Sequence, residues 1–220
     1  MTANDNSVNI KSTARVCGAE QRETYHHGDL GSSLIRAGLA VLEHAPPEDL
    51  SLRALARSSG VSATAVYRHF PDKDALLGAM ALSALDEMAA LQRAAGEEAA
   101  AAADGAEAGP QAVLKALGVA YVRFAIAHPQ WFRLIWQMIP PGNMLDSPTE
   151  QAHQGMAGLQ RAVAGVLPQD ADGETRRATA LHCWAVVHGL AMLVLDKQVT
   201  LDEAMIERVI GGTMPDGTSC

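Results

Sequence analysis

Aromatic residues make up only 4% of this 220-residue chain, although 48% of it is apolar. Alanine dominates the apolar set, a composition that favours close-packed helices over sheets, which draw on aromatic and β-branched side chains. Long hydrophobic runs are also missing. No stretch of 18 consecutive apolar residues occurs, so a transmembrane helix is not expected. The opening segment MTANDNSVNIKSTARVCGAEQRET lacks the apolar centre of a signal peptide. Cysteine is sparse. Cys17, Cys183 and Cys220 stand singly, in no paired metal or redox spacing, and their odd number does not suggest a disulfide framework. The expectation is a cytoplasmic protein with reduced thiols and no membrane partner.

Cations are outnumbered, with 17 Lys and Arg against 25 Asp and Glu, a formal net charge of −8. The imbalance is uneven: residues 1–80 carry 8 cations against 9 anions, residues 81–220 carry 9 against 16. Such a chain is a poor non-specific polyanion binder, yet a small local surface for phosphate remains open to it. Chemical motifs are absent as well. There is no Gly-rich phosphate loop and no G-x-S-x-G elbow. His26 and His27 are adjacent and the other six histidines are dispersed; no two stand at i,i+4, and no Cys–His box accompanies them. Neither an enzyme, a metal site nor a cofactor is expected.

What is present is helical periodicity. Leu30, Leu34, Ala37 and Val41 form an apolar stripe, ended by the prolines of HAPPED. Ser51, Ser62 and Asp72 are good N-caps for successive helices, the first running through Ser58, with Gly60 after it and Pro71 closing the second. The third extends to about Ala103, and further helices are predicted over residues 111–127, 130–139, 150–166, 174–197 and 201–210. ADGAEAGP is a low-complexity break. The fold class is all-α, organised as an arm over residues 1–24, a helix-turn-helix head over 25–75, a larger helical body over 76–211 and a tail over 212–220.

In the head, Leu52, Leu55 and Ala56 face Val66 and Phe70, with Val61 at the corner. The turn SSGVS has the length that sets two helices steeply across each other. Packing that core leaves Ser62, Ala63, Thr64, Tyr67 and Arg68 outward, small residues at a helix N-terminus followed by an aromatic and a cation. A DNA major groove admits such a helix, whose first residues reach base edges. Tyr67, His69 and Lys73 suit phosphate contacts, and Ser51 with Tyr25 and His27 of YHHGD suits the flanking backbone. The bland alternative is a helical corner with solvated arginines.

HGDL…SLRALARSSGVSATAVYRHFPDKDALL resembles the DNA-binding head of the TetR/AcrR transcriptional regulators. Tyr67, Phe70 and Lys73 match the closing aromatic-x-x-Phe-x-x-Lys pattern of that family. HPQWFRLIW and WAVVHGLAMLVLD are similar to the C-terminal domain of a TetR subgroup marked by Trp…His-Gly, with Trp184, His188 and Gly189 at those places. The resemblance implies an all-helical homodimeric repressor on a palindromic double-stranded operator, with an effector pocket in the second half.

For that pocket the residues themselves offer Tyr121, Phe124, Trp131, Trp136, Met138, Trp184, His188 and Met192, which suit an apolar or aromatic small molecule. The same stripe at helical spacing also fits plain core. The helices over 174–197 and 150–166 are the expected dimer contact. Two rival readings stay open: a dimeric regulator without an effector, and a helical small-molecule-binding protein with a vestigial head.

Overall fold

Side-chain oxygens start the helices of the head. Ser51 Oγ accepts the Ala54 N–H at 3.4 Å, Ser62 Oγ that of Ala65 at 3.2 Å, and Asp72 Oδ1 that of Ala75 at 2.8 Å. Each satisfies one of the amides a helix N-terminus leaves without an internal partner. The computed structural model describes residues 30–102, 109–139, 145 and 150–213. Tyr25, His27, Cys17, Cys220 and the arm over 1–24 lie outside the described residues.

The order is α1 (Leu30–Leu42), a 3-10 turn (Pro47–Asp49), α2 (Leu52–Ser58), α3 (Ala63–His69), α4 (Lys73–Ala101), α5 (Pro110–Ala127), α6 (Pro129–Met138), α7 (Glu150–Val166), α8 (Gly173–Leu195) and α9 (Glu203–Thr213). No strand occurs among the described residues. Two expectations shift. Val41 is 38% exposed, because the buried stripe of α1 runs through Leu30, Leu34, Gly38 and Leu42 in steps of four. Gly38 lets α1 approach α4, since a Cβ there would stand 2.7 Å from Met80 Sδ. The last helix begins at Glu203 rather than Leu201, set by Asp202 Oδ1 accepting the Met205 N–H at 2.8 Å.

The apolar residues of α1–α3 continue through α4 into α6, α8 and α9 as one buried cluster, from Leu34 and Val66 to Phe132, Ile135 and Ile210. A second, smaller cluster joins Leu114 and Leu117 of α5 to Ala162 and Val163 of α7 and Ala180 and Cys183 of α8. Between α5 and α6 the chain turns by 105° at Pro129. α8 is long and apolar enough to cross a membrane, with a mean hydropathy of 1.7 over its most apolar window, although no unbroken apolar run announces it. Only 28% of that window is buried, so much of its apolar surface faces outward within one chain. Leu181 and Leu193 are 49% and 45% exposed, and Ala185 and Gly189 lie exposed between them.

Candidate nucleic-acid interface and effector cavity

α2 and α3 meet through Leu55, Ala56 and Val66, and Gly60 turns the chain between them at φ +67°, a conformation that favours glycine. With Val66 inward, Ser62, Ala63, Thr64, Tyr67, Arg68 and His69 are all exposed, as is Ser51 at the start of α2. The outward row is therefore two small polar residues and an alanine on the first turn, with a phenol and cations one turn on. Ser62 Oγ already accepts a backbone amide, which leaves its hydroxyl proton to donate.

Lys73 carries a contact that spacing did not announce. Its Nζ donates to the Glu48 carbonyl at 2.7 Å, tying the start of α4 to the link between α1 and α2. An ammonium has three donors, so the contact leaves others for phosphate. The start of α4 itself offers little to an anion, because Asp72 takes the Ala75 amide and Asp74 adds charge in the first turn.

The head is held to the body at a second place. Trp131 Nε1 donates to the Leu39 carbonyl of α1 at 2.9 Å. His128 stacks on Trp131 with centroids 4.4 Å apart, and its Nδ1 lies 2.8 Å from Glu43 Oε1 at the end of α1. α6 thus grips α1 near its C-terminal end.

The other side of α6 faces a cavity at the seam of the two apolar clusters. Its inner volume is about 40 Å³, walled by Leu85 and Met88 of α4, Leu117 and Tyr121 of α5, Trp136 of α6, Met156 and Leu159 of α7, and Cys183 and Trp184 of α8. It shares a wall of Ala89, Gln92, Leu117 and Gly155 with an outer cleft of about 750 Å³ between α4, α5 and α7. Of the residues expected to line a pocket, Tyr121, Trp136 and Trp184 do so. His188 sits behind them, its Nδ1 2.9 Å from Tyr121 Oη. Phe124, Trp131, Met138 and Met192 do not line it. Phe124 is buried against His128 and Trp131, Met138 approaches Gly78, and Met192 packs on the main cluster. The aliphatic wall from α4 and α7 was missed, since nothing in residue type distinguishes it from core.

Burial pushes the Tyr121 phenol well up, only partly opposed by the nearby Trp184 and Trp136 indoles, and holds the His188 imidazole below its ordinary 6.5. Both are neutral near pH 7 and share one proton between the phenol oxygen and His188 Nδ1; when the phenol donates it, the imidazole proton is on Nε2. The indole nitrogens of Trp136 and Trp184 are buried and meet no protein acceptor in hydrogen-bond geometry. Both lie against the Tyr121 oxygen, where their N–H groups favour its anion.

A pH dependence follows. The unfolded chain takes up the His188 proton near pH 6.5, before the folded chain does, so stability is lost as pH falls from about 6.5 through the depressed folded value. In thermal unfolding between pH 7 and 5, His188→Asn should lose less Tm than the parent. Equal losses in the two proteins would show that His188 does not titrate differently on folding.

Comparison with known proteins gives two family models on successive parts of the chain. Residues 34–80 match "Bacterial regulatory proteins, tetR family", and residues 114–211 match "Tetracyclin repressor-like, C-terminal domain". A solved structure from Rhodococcus sp. RHA1, described as a protein with unknown function, is 30% identical. It covers 87% of this chain and 96% of its own, with a TM-score of 0.65. A tetR-family transcriptional regulator from Streptomyces coelicolor shares the fold at 17% identity, covering 82% of this chain and 76% of its own, with a TM-score of 0.56. So does a multidrug binding protein, EbrR, complexed with imidazole: 19% identity, 84% and 94% coverage, TM-score 0.54. A search of curated proteins found no match. With a helix-turn-helix head and a helical body each matched by a model from one family, this chain belongs to the TetR family of DNA-binding transcriptional regulators, which are not enzymes.

Proposed function

We propose that this regulator is a homodimeric repressor that holds a palindromic operator through α3 of each head and is released when a small apolar molecule enters the cavity of the body. The observation that carries this reading is the placement of α6. One side of it supplies Trp136 to the cavity, and the other supplies Trp131 to the Leu39 carbonyl of the head. A molecule that displaces Trp136 therefore pulls on a helix already bonded to α1. To release DNA it must prefer one arrangement of the heads, because a ligand that binds both equally shifts nothing. EbrR, of the same fold, is described as binding multiple drugs, which lends support.

The dimer contact is the outward face of α8 with Met205 of α9, rather than α7, whose exposed positions include Gln154, Gln160 and Arg161. In a dimer the heads would enter successive major grooves about 34–36 Å apart, or a multiple of that. Trp184, His188 and Gly189 support the Trp-His-Gly subgroup, and operator binding sets the work of the protein in the cytoplasm. The small inner volume, about 40 Å³, favours a second reading, a dimeric regulator with no effector.

Two variants test the reading frame on DNA. Thr64→Ala should relax preference at one base pair by about tenfold, with other positions unchanged. Lys73→Ala should weaken binding to every sequence and lower the log–log salt slope by about 1. Thermal unfolding of Lys73→Ala separates loss of the Glu48 contact from loss of phosphate. If both variants relax the same base pair, or neither does, α3 does not read the operator in this orientation.

A further inference from the structure

We infer that the outer cleft between α4, α5 and α7 binds an amphipathic monoanion, an unbranched aliphatic chain ending in a carboxylate or similar group, with the chain on the floor and the anion between Arg93 and Arg161. This is a second site, separate from the inner cavity, and it does not depend on the effector reading above.

The floor is aliphatic and low, made chiefly by Ala89, Gly96 and Ala100 of α4, Val113 and Leu117 of α5 and Gly158 of α7. Gly96 lets α5 close on α4, since a Cβ there would stand 2.7 Å from Leu117 Cδ1. The α7 side is left open: a Cβ at Gly155 or Gly158 would meet nothing within 4 Å. The resulting space, about 750 Å³, lies in the range of small-molecule pockets. From Ala89 to Ala100 its α4 wall runs about 16 Å. No aromatic ring of a described residue borders it, so nothing there stacks on a flat ligand, whereas methylenes gain from the burial alone.

The charges at its walls are out of character with the body around them. Residues 81–220 carry 9 cations against 16 anions. Carboxylates are thus plentiful, and Arg123 pairs with Glu203 and Glu207, Arg133 with Asp196. Arg93 and Arg161 both border the cleft, are exposed, and make no hydrogen bond or ion pair with any described residue. Helix register sets them opposite each other. Gln92 Nε2 donates to the Leu117 carbonyl, and Gly165 sits beside Pro110, so α4 and α7 both run antiparallel to α5. Arg93 and Arg161 then stand on facing walls within about one helical turn of the same height. Among the described residues Glu97, one turn beyond Arg93, is the one carboxylate on the cleft. Two arginines against one glutamate leave a single positive charge, which matches a monoanion and repels a cation. Guanidinium forks hold a carboxylate through paired N–H donors, and their exposure keeps the gain modest.

The full-length protein is titrated by calorimetry with octanoate, octanol, octylammonium and butyrate. Octanoate should bind about tenfold tighter than octanol, and octylammonium more weakly than octanol. Butyrate, with four fewer methylenes, should bind at least about 100-fold more weakly than octanoate. Arg93→Gln with Arg161→Gln should remove the advantage of octanoate and leave octanol binding as before, which shows that the cleft has survived. Gly158→Leu, placed where a side chain meets nothing, should fill the cleft and abolish binding of both without lowering Tm. Equal affinity for octanoate and octanol, preference for octylammonium, an advantage that survives the paired Gln substitutions, or no binding of octanoate at millimolar concentration would overturn the inference. So would octanoate binding untouched by Gly158→Leu. Octanoate held by the arginines bears out the site whether or not the operator is released, so this claim and the effector reading fail separately.

Discussion

Charging the outward face of α8, with Leu181→Arg and Leu193→Arg together, is expected to give a folded monomer whose operator binding is weaker by at least about 100-fold. Both leucines are close to half exposed within one chain, so arginine there costs the single chain little. Between them Ala185 and Gly189 leave the helix surface low enough for another helix to approach, and Met205 of α9 extends the apolar area. Pairing that face with its copy would account for an apolar helix whose surface is so little covered. Four arginines brought to one dry contact would separate the chains. A monomer holds one half-site and forfeits the gain of linked binding, which commonly amounts to about 10²–10⁴. Sedimentation and far-UV circular dichroism check the result. A dimer that persists with unchanged operator affinity would place the contact elsewhere.

Phe132→Ala should be the most damaging single change to stability, at about 3–5 kcal/mol. The ring is fully buried, stands edge-on to Tyr121 at 5.4 Å, and lies 6.0 Å from Trp136 and 5.7 Å from His188. It therefore supports the cavity wall from behind without lining it. For a chain of this size the loss corresponds to a fall in Tm of roughly 6–20 °C. Phe132→Leu, which keeps most of the volume, should lose far less. Denaturant unfolding measures both, and a loss under about 1 kcal/mol for the alanine variant would mean that the aromatic cluster is not a packed unit.

The head was legible because its signals are local. A cap serine, a glycine in the left-handed region and a four-residue apolar step each act within a few residues. Together they turn Thr64 and Tyr67 outward whatever the rest of the chain does. The cavity was legible only in part, because a cavity is a failure of distant elements to close. Trp131 and Trp136 looked like one cluster, yet five residues along a helix turn a side chain by about 140°, so one reaches α1 and the other the cavity. Met192 shares a face with His188 but sits one turn further along α8, where it packs, partly buried, against the main cluster. The Lys73 contact to Glu48 and the Trp131 contact to Leu39 join residues 25 and 92 positions apart, and no periodicity encodes such pairs. The outward face of α8 was visible as small residues around Gly189.

The first experiment is binding of the purified protein to the DNA immediately upstream of its own gene, at about 50 and 200 mM salt with excess competitor DNA. A complex of two chains that resists competitor, weakens steeply with salt and loses base preference on Thr64→Ala would bear out an α3-read palindrome. Binding that competitor removes as readily as the specific fragment, or base preference untouched by Thr64→Ala, would contradict it.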